Sequence, residues 1–242
     1  MSVRAVVRSF SELCLTVGTL IVLFVVYLLY WTGVQADRAA HDQISGLERQ
    51  WAQSPPSRPA APPPAAPTPA AAPTPAAPGP PAPAAYGAGR SFAVMYIPRL
   101  GGNWHRPVLE GTAVKDLQKG LGHYANTARL GQQGNFSVAG HRRTYGDPFK
   151  DFPELRPGDA VVLRDDTTWY TYRLDTTPYR TLPSDIGVID AVPAKSPFRS
   201  PGRYLTLTTC DPEWGSSHRL IVWGHLDSTL PVTQGKPPAL DG

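Results

Sequence analysis

Three residues in the second half of the 242-residue chain have side chains that could together catalyse acyl transfer. Cys210 is a candidate nucleophile, because a thiolate attacks carbonyl carbon once a neighbouring group lowers its pKa or accepts its proton. His141 could accept that proton and later donate it to a leaving amine, since imidazole titrates near neutral pH. Arg219 offers a permanently charged donor fork that could stabilise an oxyanion. The combination predicts acyl transfer through a thioester.

The segment that carries the cysteine alternates in polarity, as a strand with one buried face does. Cys210 closes the predicted strand Tyr204–Thr209, and the following proline ends the ladder. Thr208 falls on the same face as Cys210, whereas Thr209 faces the other way. Thr208 is therefore a candidate substrate contact. The charge of Asp211 would oppose thiolate formation beside it, so we expect its carboxylate to point to solvent.

Two neighbouring segments can bring the other candidates to this strand end. The predicted strand Arg219–Leu226 can pair back through the loop Asp211–His218, which would place Arg219 beside the cysteine. His141 follows the predicted strand Asn135–Ala139 at its entry into a polar turn. Residues at strand ends beside loops are disproportionately functional. The histidine could converge on the cysteine although the two are 69 residues apart, since sequence distance does not limit spatial approach.

The region from Ser91 onward contains short apolar or alternating segments separated by turn residues. Besides the three strands above, four more are predicted: Phe92–Ile97, Pro107–Gly111, Ala160–Arg164 and Trp169–Asp175. Only short helices are expected, at Ala113–Gly120 and Pro183–Ile186. Many short strands at close spacing indicate an all-β barrel or sandwich.

An uncharged run of 19 residues, Leu13–Trp31, precedes this region. As a helix it would span about 28 Å, close to the thickness of a bilayer's hydrocarbon core. Arg4 and Arg8 lie before it, so the positive-inside rule predicts a cytoplasmic N-terminus. We expect an uncleaved anchor. A cleaved signal peptide ending near Val34–Ala36 is the alternative, but the run exceeds a typical signal core.

The tract 54–85, between the anchor and the strands, cannot form a packed core because it consists mostly of proline and alanine. It holds 14 of the 28 prolines and 12 alanines, and it could act as a spacer or as a passive tether. The stem before it has apolar residues at helical spacing, but an irregular segment fits equally well. The predicted organisation is a cytoplasmic N-terminus 1–12, an anchor 13–34, a stem 35–53, a disordered linker 54–85, a catalytic domain 86–230 and a tail 231–242.

Charge and cysteine content exclude several other classes. The net charge of +4 is modest and the basic residues form no dense runs, so a nucleic-acid partner is not expected. The two cysteines cannot form a disulfide framework, and the spacing of the histidines and acidic residues predicts no metal or other cofactor. Cys210 would be a lone exported thiol, which indicates a chemical role.

The motifs around these residues resemble those of the sortases, which are membrane-anchored cysteine transpeptidases of Gram-positive bacteria. The resemblance rests on the TLTTC run that ends at Cys210, on Arg219 nine residues later, and on the AGHR run that contains His141. It covers roughly Ser91 to Leu226. The segments after the histidine, GHRRTYGDPF and LRPGD, are most similar to class E, the actinobacterial housekeeping type.

This resemblance implies a closed eight-stranded β-barrel and a role for each candidate residue. Cys210 would attack the threonine carbonyl of a Leu-Ala-x-Thr-Gly sorting signal, His141 would act as general acid and base, and Arg219 would stabilise substrate and oxyanion. Thr208 and Tyr145 are candidate substrate contacts. The implied partners are secreted proteins that carry a sorting signal, a peptidoglycan precursor amine and the membrane lipid around the anchor, with the catalytic domain outside the cell.

Alternatives within and outside this chemistry remain open at this point. A class D-like sortase carries similar motifs, and a cysteine protease that hydrolyses surface proteins would use the same residues. From a different class, the chain could be a catalytically inactive cell-wall binding module. The presence of all three residues Cys210, His141 and Arg219 argues against the last of these.

Overall fold

The computed structural model describes residues 3–53 and 85–241. Almost all of the predicted linker 54–85 lies outside the described residues, as do residues 1, 2 and 242.

A single long helix, α1, runs from Val3 to Gln53. Its first part, Val3–Tyr27, is long and apolar enough to cross a membrane by length and composition. The helix then continues through the stem, residues 35–53, so the stem is helical and not irregular. Ile44 and Leu47 of the stem are buried against Val94 of the barrel.

Within the described residues, the rest of the fold is built from nine strands and one further short helix. The strands are β1 (Ser91–Tyr96), β2 (His105–Glu110), β3 (Leu121–His123), β4 (Gly134–Ala139), β5 (Ala160–Arg164), β6 (Thr168–Leu174), β7 (Tyr179–Thr181), β8 (Arg203–Asp211) and β9 (His218–Pro231). Helix α2 is Val114–Leu117. Single 3₁₀ turns lie at Pro98–Leu100, Phe152–Glu154, Ile186–Ile189, Val232–Gln234 and Pro238–Leu240.

Eight of the nine strands in the described part of the chain close into a barrel. Their order is β6-β5-β1-β2-β3-β4-β8-β9, and the antiparallel pairing of β6 with the second half of β9 completes the ring. Two neighbouring pairs, β2–β3 and β4–β8, are parallel, and the other pairs are antiparallel. Strand β7 pairs with the first half of β9 as a ninth, flanking strand. The predicted all-β, closed eight-stranded barrel is confirmed.

Alternation along each strand fills the barrel interior with apolar side chains. On β8, Leu205 and Leu207 are fully buried in the interior cluster, which also contains Phe136 and Val222 from the neighbouring strands. The residues between the two leucines point outwards, because successive side chains of a strand face opposite ways. The outer face of β8 therefore carries Thr206, Thr208 and Cys210, whereas Thr209 falls on the same face as the two leucines.

All seven predicted strands are present, with some ends moved by one to five residues. The two strands absent from the prediction, β3 and β7, are only three residues long and too short to show alternation. The predicted helix at Ala113–Gly120 contracts to α2. The one at Pro183–Ile186 is misplaced, since a 3₁₀ turn begins only at Ile186.

Candidate active site

Strands β8 and β9 form a hairpin that places two of the candidate residues directly opposite each other. Cys210 pairs with Arg219 in the antiparallel register, two positions beyond the pair Thr208–Ile221. Directly opposed residues of an antiparallel pair project from the same face of the sheet. Cys210, Arg219 and Thr208 therefore share the outer face of the barrel, as the alternation and the short loop predict.

Strand β4 brings the histidine to the same end of β8. The two strands run parallel, with Ala139 paired to Thr208. Two hydrogen bonds extend this contact: the Gly140 amide donates to the Thr208 carbonyl at 3.1 Å, and the Thr209 hydroxyl donates to the Gly140 carbonyl at 2.9 Å. Continuing the register by two positions sets His141 level with Cys210. The parallel pair therefore directs the chain of His141 towards the strand end that carries Cys210, where the sequence predicts the two residues to converge.

The imidazole of His141 lies in a partly dehydrated environment. Burial disfavours its charged form and lowers the pKa of His141 below its usual value. Its Nε2 atom is buried and has no hydrogen-bond partner among the described residues. Its ring also lies 5.1 Å from the ring of Tyr145. A neutral imidazole with an unused ring nitrogen is suited to accept a proton from a thiol.

The residues that directly follow His141 and Cys210 in the chain, Arg142 and Asp211, take part in an ion-pair network. Arg142 Nη1 lies 2.6 Å from Asp211 Oδ1, and Arg180 Nε of β7 lies 2.7 Å from Asp211 Oδ2. Partial burial raises the pKa of Asp211, but hydrogen bonds from Arg180 and Arg142 outweigh burial and hold the pKa below its usual value. The prediction that Asp211 points to solvent is therefore wrong. The positive charges of the two guanidinium groups balance the negative charge of the Asp211 carboxylate. The carboxylate therefore stays ionised although it follows Cys210 directly in the chain.

Thr208 lies beside a small cavity on the Cys210 side of β8. The hydroxyl groups of Thr208 and Tyr124 are hydrogen-bonded at 3.1 Å. Both residues line a cavity of about 90 Å³, together with Arg219 and Ile221 of β9 and most residues of the segment 181–189. Sequence reasoning missed Tyr124, because it follows β3, a strand too short to predict.

Arg219 also fixes the loop that joins the two strands. Its Nη1 donates to the carbonyls of Ser216 and His218, each at 2.9 Å. His218 is directed elsewhere, with its Nδ1 at 3.0 Å from Arg180 Nη2 and from Ser217 Oγ. The guanidinium of Arg219 is thus held by loop carbonyls while it lines the cavity.

The other predicted substrate contact, Tyr145, lies on the turn that follows the histidine. Tyr145 and Asp147 both have positive φ angles, 55° and 47°, a conformation that side-chain-bearing residues adopt rarely. Gly146 between them has φ 81°. Three successive residues in this conformation curl the chain tightly, which brings Tyr145 back onto the imidazole.

Cys210, His141 and Arg219 therefore lie on strand ends or turns at one end of a closed β-barrel. Among the described residues, no group of three or more His, Cys, Asp or Glu side chains could hold a metal ion. The chemistry available from these side chains is nucleophilic attack by sulfur, proton transfer and stabilisation of negative charge. Fold and site together define a closed β-barrel whose candidate residues are those of a cysteine-dependent acyl-transfer enzyme.

Comparison with known proteins identifies the family. The sortase domain model matches residues 95–227, more than half of the chain. The chain belongs to the sortase family, whose members are cysteine transpeptidases.

The similar proteins include class E sortases. Sortase E1 of Streptomyces coelicolor is 36% identical over 240 residues, which cover 96% of this chain and 60% of that protein. The chain therefore matches rather less than two thirds of the length of this relative. Sortase E from Streptomyces avermitilis is 70% identical with a TM-score of 0.61, over 64% of this chain and 99% of the solved chain. A crystal structure of the S. coelicolor sortase E1 with a tripeptide in its active site is 41% identical, with a TM-score of 0.60 over 63% of this chain and 97% of that one.

Proposed function

We propose that this chain is a membrane-anchored, class E-like sortase. It cleaves a Leu-Ala-x-Thr-Gly-type sorting signal between Thr and Gly and transfers the protein to an amine of a peptidoglycan precursor. The observation that carries this proposal is the direct pairing of Cys210 with Arg219, at the strand end where His141 lies level with the cysteine. The similarity to class E relatives supports the choice of signal.

In the first half of the reaction, His141 accepts the thiol proton of Cys210, and the sulfur attacks the threonine carbonyl carbon. The carbonyl oxygen gains negative charge, which the guanidinium of Arg219 stabilises across the hairpin. The tetrahedral intermediate collapses when the C–N bond to glycine breaks. His141 gives its proton to the departing amine, and the threonine remains bound as a thioester.

In the second half, an acceptor amine attacks the thioester carbonyl. His141 takes the proton that this amine loses, the new C–N bond forms, and the thiolate leaves and is reprotonated. No cofactor takes part. If water reaches the thioester instead, the product is a free acid, so the exclusion of water decides between transfer and hydrolysis.

Thr208 and Tyr145 contribute to substrate binding in this proposal. Thr208 lies on the Cys210 face and lines the cavity beside Arg219, where the residues before the scissile bond would lie. Tyr145 covers the imidazole and would contact the residues around the leaving glycine. In this proposal residues 13–34 of α1 span the membrane and residues 1–12 lie in the cytoplasm, so the barrel lies outside the cell.

The test uses the full-length chain in lipid nanodiscs. It is incubated with fluorogenic peptides that contain Leu-Ala-x-Thr-Gly or Leu-Pro-x-Thr-Gly, with and without an amine nucleophile, and the products are identified by mass spectrometry. We expect cleavage between Thr and Gly, an amine-capped product and preference for the alanine peptide. Cys210→Ala should abolish the acyl-enzyme mass, whereas Cys14→Ala, which removes the other cysteine, should leave turnover unchanged.

Other outcomes would contradict the proposal in distinct ways. A free-acid product alone, even with several amines supplied, indicates a protease. Preference for the proline peptide overturns the class E-like assignment. Absence of cleavage, together with a Cys210 thiol that does not react with iodoacetamide in the folded chain, indicates an inactive binding module.

A further inference from the structure

The stem half of α1 lies against the barrel, next to the turn that carries the catalytic histidine. Ala36 and Ala40 are buried at 6% and 5% exposure, and small side chains allow the helix to approach closely. Asp37 on the same part of the helix reaches Arg106 of β2, with 3.2 Å between Oδ1 and Nη2. The stem thus contacts the catalytic barrel through a charged residue as well as through apolar packing.

Arg106 continues this contact to the histidine turn, residues 141–149. The same Nη2 atom that meets Asp37 donates to the carbonyl of Gly146 at 3.0 Å. Gly146 also approaches the helix directly: a Cβ atom at that position would lie 3.0 Å from Asp37 Oδ1 and 3.5 Å from the Ala36 side chain. Helix, arginine and turn therefore form one packed unit.

Tyr145 connects Gly146 to the imidazole of His141. Tyr145, whose ring lies 5.1 Å from that of His141, precedes Gly146 in the turn, and the Phe149 amide closes it by donating to the His141 carbonyl at 3.1 Å. The turn is strained by its run of positive φ angles, so it needs external contacts to hold its shape. Arg106 supplies a contact at the centre of the strained run.

We propose that the anchor helix is part of the catalytic apparatus, with Asp37 and Arg106 as positioning residues that hold the histidine turn and so orient His141 toward Cys210. This inference deepens the proposed function and rests on it for its kinetic consequences. Its structural part concerns only the turn, and that part can be tested without substrate.

The contact also sets the height of the active site above the bilayer. The anchor predicted from the sequence ends at residue 34, three positions before Asp37, which corresponds to roughly 5 Å along the helix axis. The Pro/Ala tract follows helix residues that already lie on the barrel, so its length does not determine this distance. The catalytic turn is therefore held near the membrane surface, on the side of the barrel that faces the anchor.

The experiment compares Asp37→Asn, Arg106→Gln and the double variant with the wild-type full-length chain in nanodiscs. The matched control is Asp42→Asn, an exposed carboxylate on the same helix. Hydrogen–deuterium exchange is measured on peptides that cover residues 141–150, and kcat, KM and the pH profile of kcat/KM are measured with the preferred peptide.

Because Arg106→Gln removes a charge-assisted hydrogen bond to the turn, we expect exchange there to rise about tenfold. We expect kcat to fall severalfold with KM little changed, and the pH profile to shift, since both report on the imidazole. The double variant should lose no more than Arg106→Gln alone, because both residues act through one contact. Arg106→Lys, which keeps a cationic donor, should recover part of the loss.

The inference is overturned if Asp37→Asn and Arg106→Gln match Asp42→Asn in exchange of residues 141–150. It is also overturned if exchange rises while kcat and the pH profile stay at wild-type values. A wild-type chain without turnover would count against the proposed function alone, because the exchange comparison would still decide whether the helix holds the turn.

Discussion

The ion pair between Arg142 and Asp211, 2.6 Å between Nη1 and Oδ1, joins the residue after the candidate general base to the residue after the candidate nucleophile. Both side chains are largely buried, at 11% and 16% exposure. Arg180 of β7 holds the second carboxylate oxygen, which adds a third strand to the contact. The network links the chain beyond β4, which carries His141, to the end of β8, which carries Cys210, so we expect it to influence the distance between these two side chains.

Asp211→Asn should therefore weaken both stability and chemistry. The variant leaves two guanidinium groups without their counter-charge, and we expect the free energy of unfolding to fall by about 1–3 kcal/mol. The rate of acyl-enzyme formation should fall more than peptide affinity. Urea unfolding and rapid-quench acylation measure the two effects. Glu213→Gln breaks the more exposed pair with Arg143 and is the control, with less than about 1 kcal/mol expected. Equal effects of the two variants would contradict a positioning role for Asp211.

The Cys210–Arg219 pairing could be predicted from the sequence because it is local. Eight residues separate them, the polar alternation of β8 shows which face the cysteine occupies, and a short loop leaves one simple way to pair the strands. The closed barrel could be predicted from the strand pattern and from the resemblance. Strand order, parallel pairing of β4 with β8 and the ninth strand could not, because they depend on contacts between distant segments.

The role of Asp211 could not be predicted for the same reason. Its partners Arg142 and Arg180 lie 69 and 31 positions away, and the shortness of β7 concealed the second of them. A carboxylate beside a thiol is unfavourable in isolation, which is why the sequence alone indicates solvent exposure. The largely buried Arg142 and the exposed Arg180 together reverse that balance. The contact of α1 with the histidine turn is similarly hidden, since its two sides lie more than 100 residues apart.

Removal of His141 should change how stability depends on pH. Burial lowers the folded-state pKa of this histidine, so between that value and the unfolded value of about 6.5 the unfolded chain binds the extra proton. Wild-type stability should therefore fall as pH drops from about 6.5 through the folded pKa. His141→Asn lacks this contribution, so its unfolding free energy relative to that of the wild type should rise as the pH falls from 7.5 to 5. Chemical denaturation at both pH values measures the difference. The control is His41→Asn at an exposed position on α1. A wild-type/His141→Asn difference that is constant with pH would contradict burial of the imidazole.

The hydroxyl groups of Tyr124 and Thr208, which are hydrogen-bonded to each other, should contribute to stability as a coupled pair. Tyr124→Phe and Thr208→Val each remove one hydroxyl group of a 3.1 Å contact, and each should lower the free energy of unfolding by about 1 kcal/mol. The double variant should lose little more than either single variant, since the second substitution removes a partner already lost. A double-mutant cycle in urea, combined with kcat/KM for the preferred peptide, measures the coupling. Strict additivity in both would show that the two hydroxyl groups act independently.

The packing of the stem on the barrel can be tested apart from its charged contact. Leu47 is 4% exposed and packs with Ile44 on Val94, so Leu47→Ala should weaken docking of the stem by about 2–3 kcal/mol. Local release of the helix makes the chain after Arg49 accessible to trypsin, and cleavage follows the population of the released state when release is rapid. We therefore expect cleavage at Arg49 in nanodisc-bound chain to accelerate at least tenfold. Glu48→Ala, at the exposed neighbouring position, should cleave at the wild-type rate. If both variants cleave like wild type, the stem is not held by its apolar face, and the barrel moves independently of the anchor.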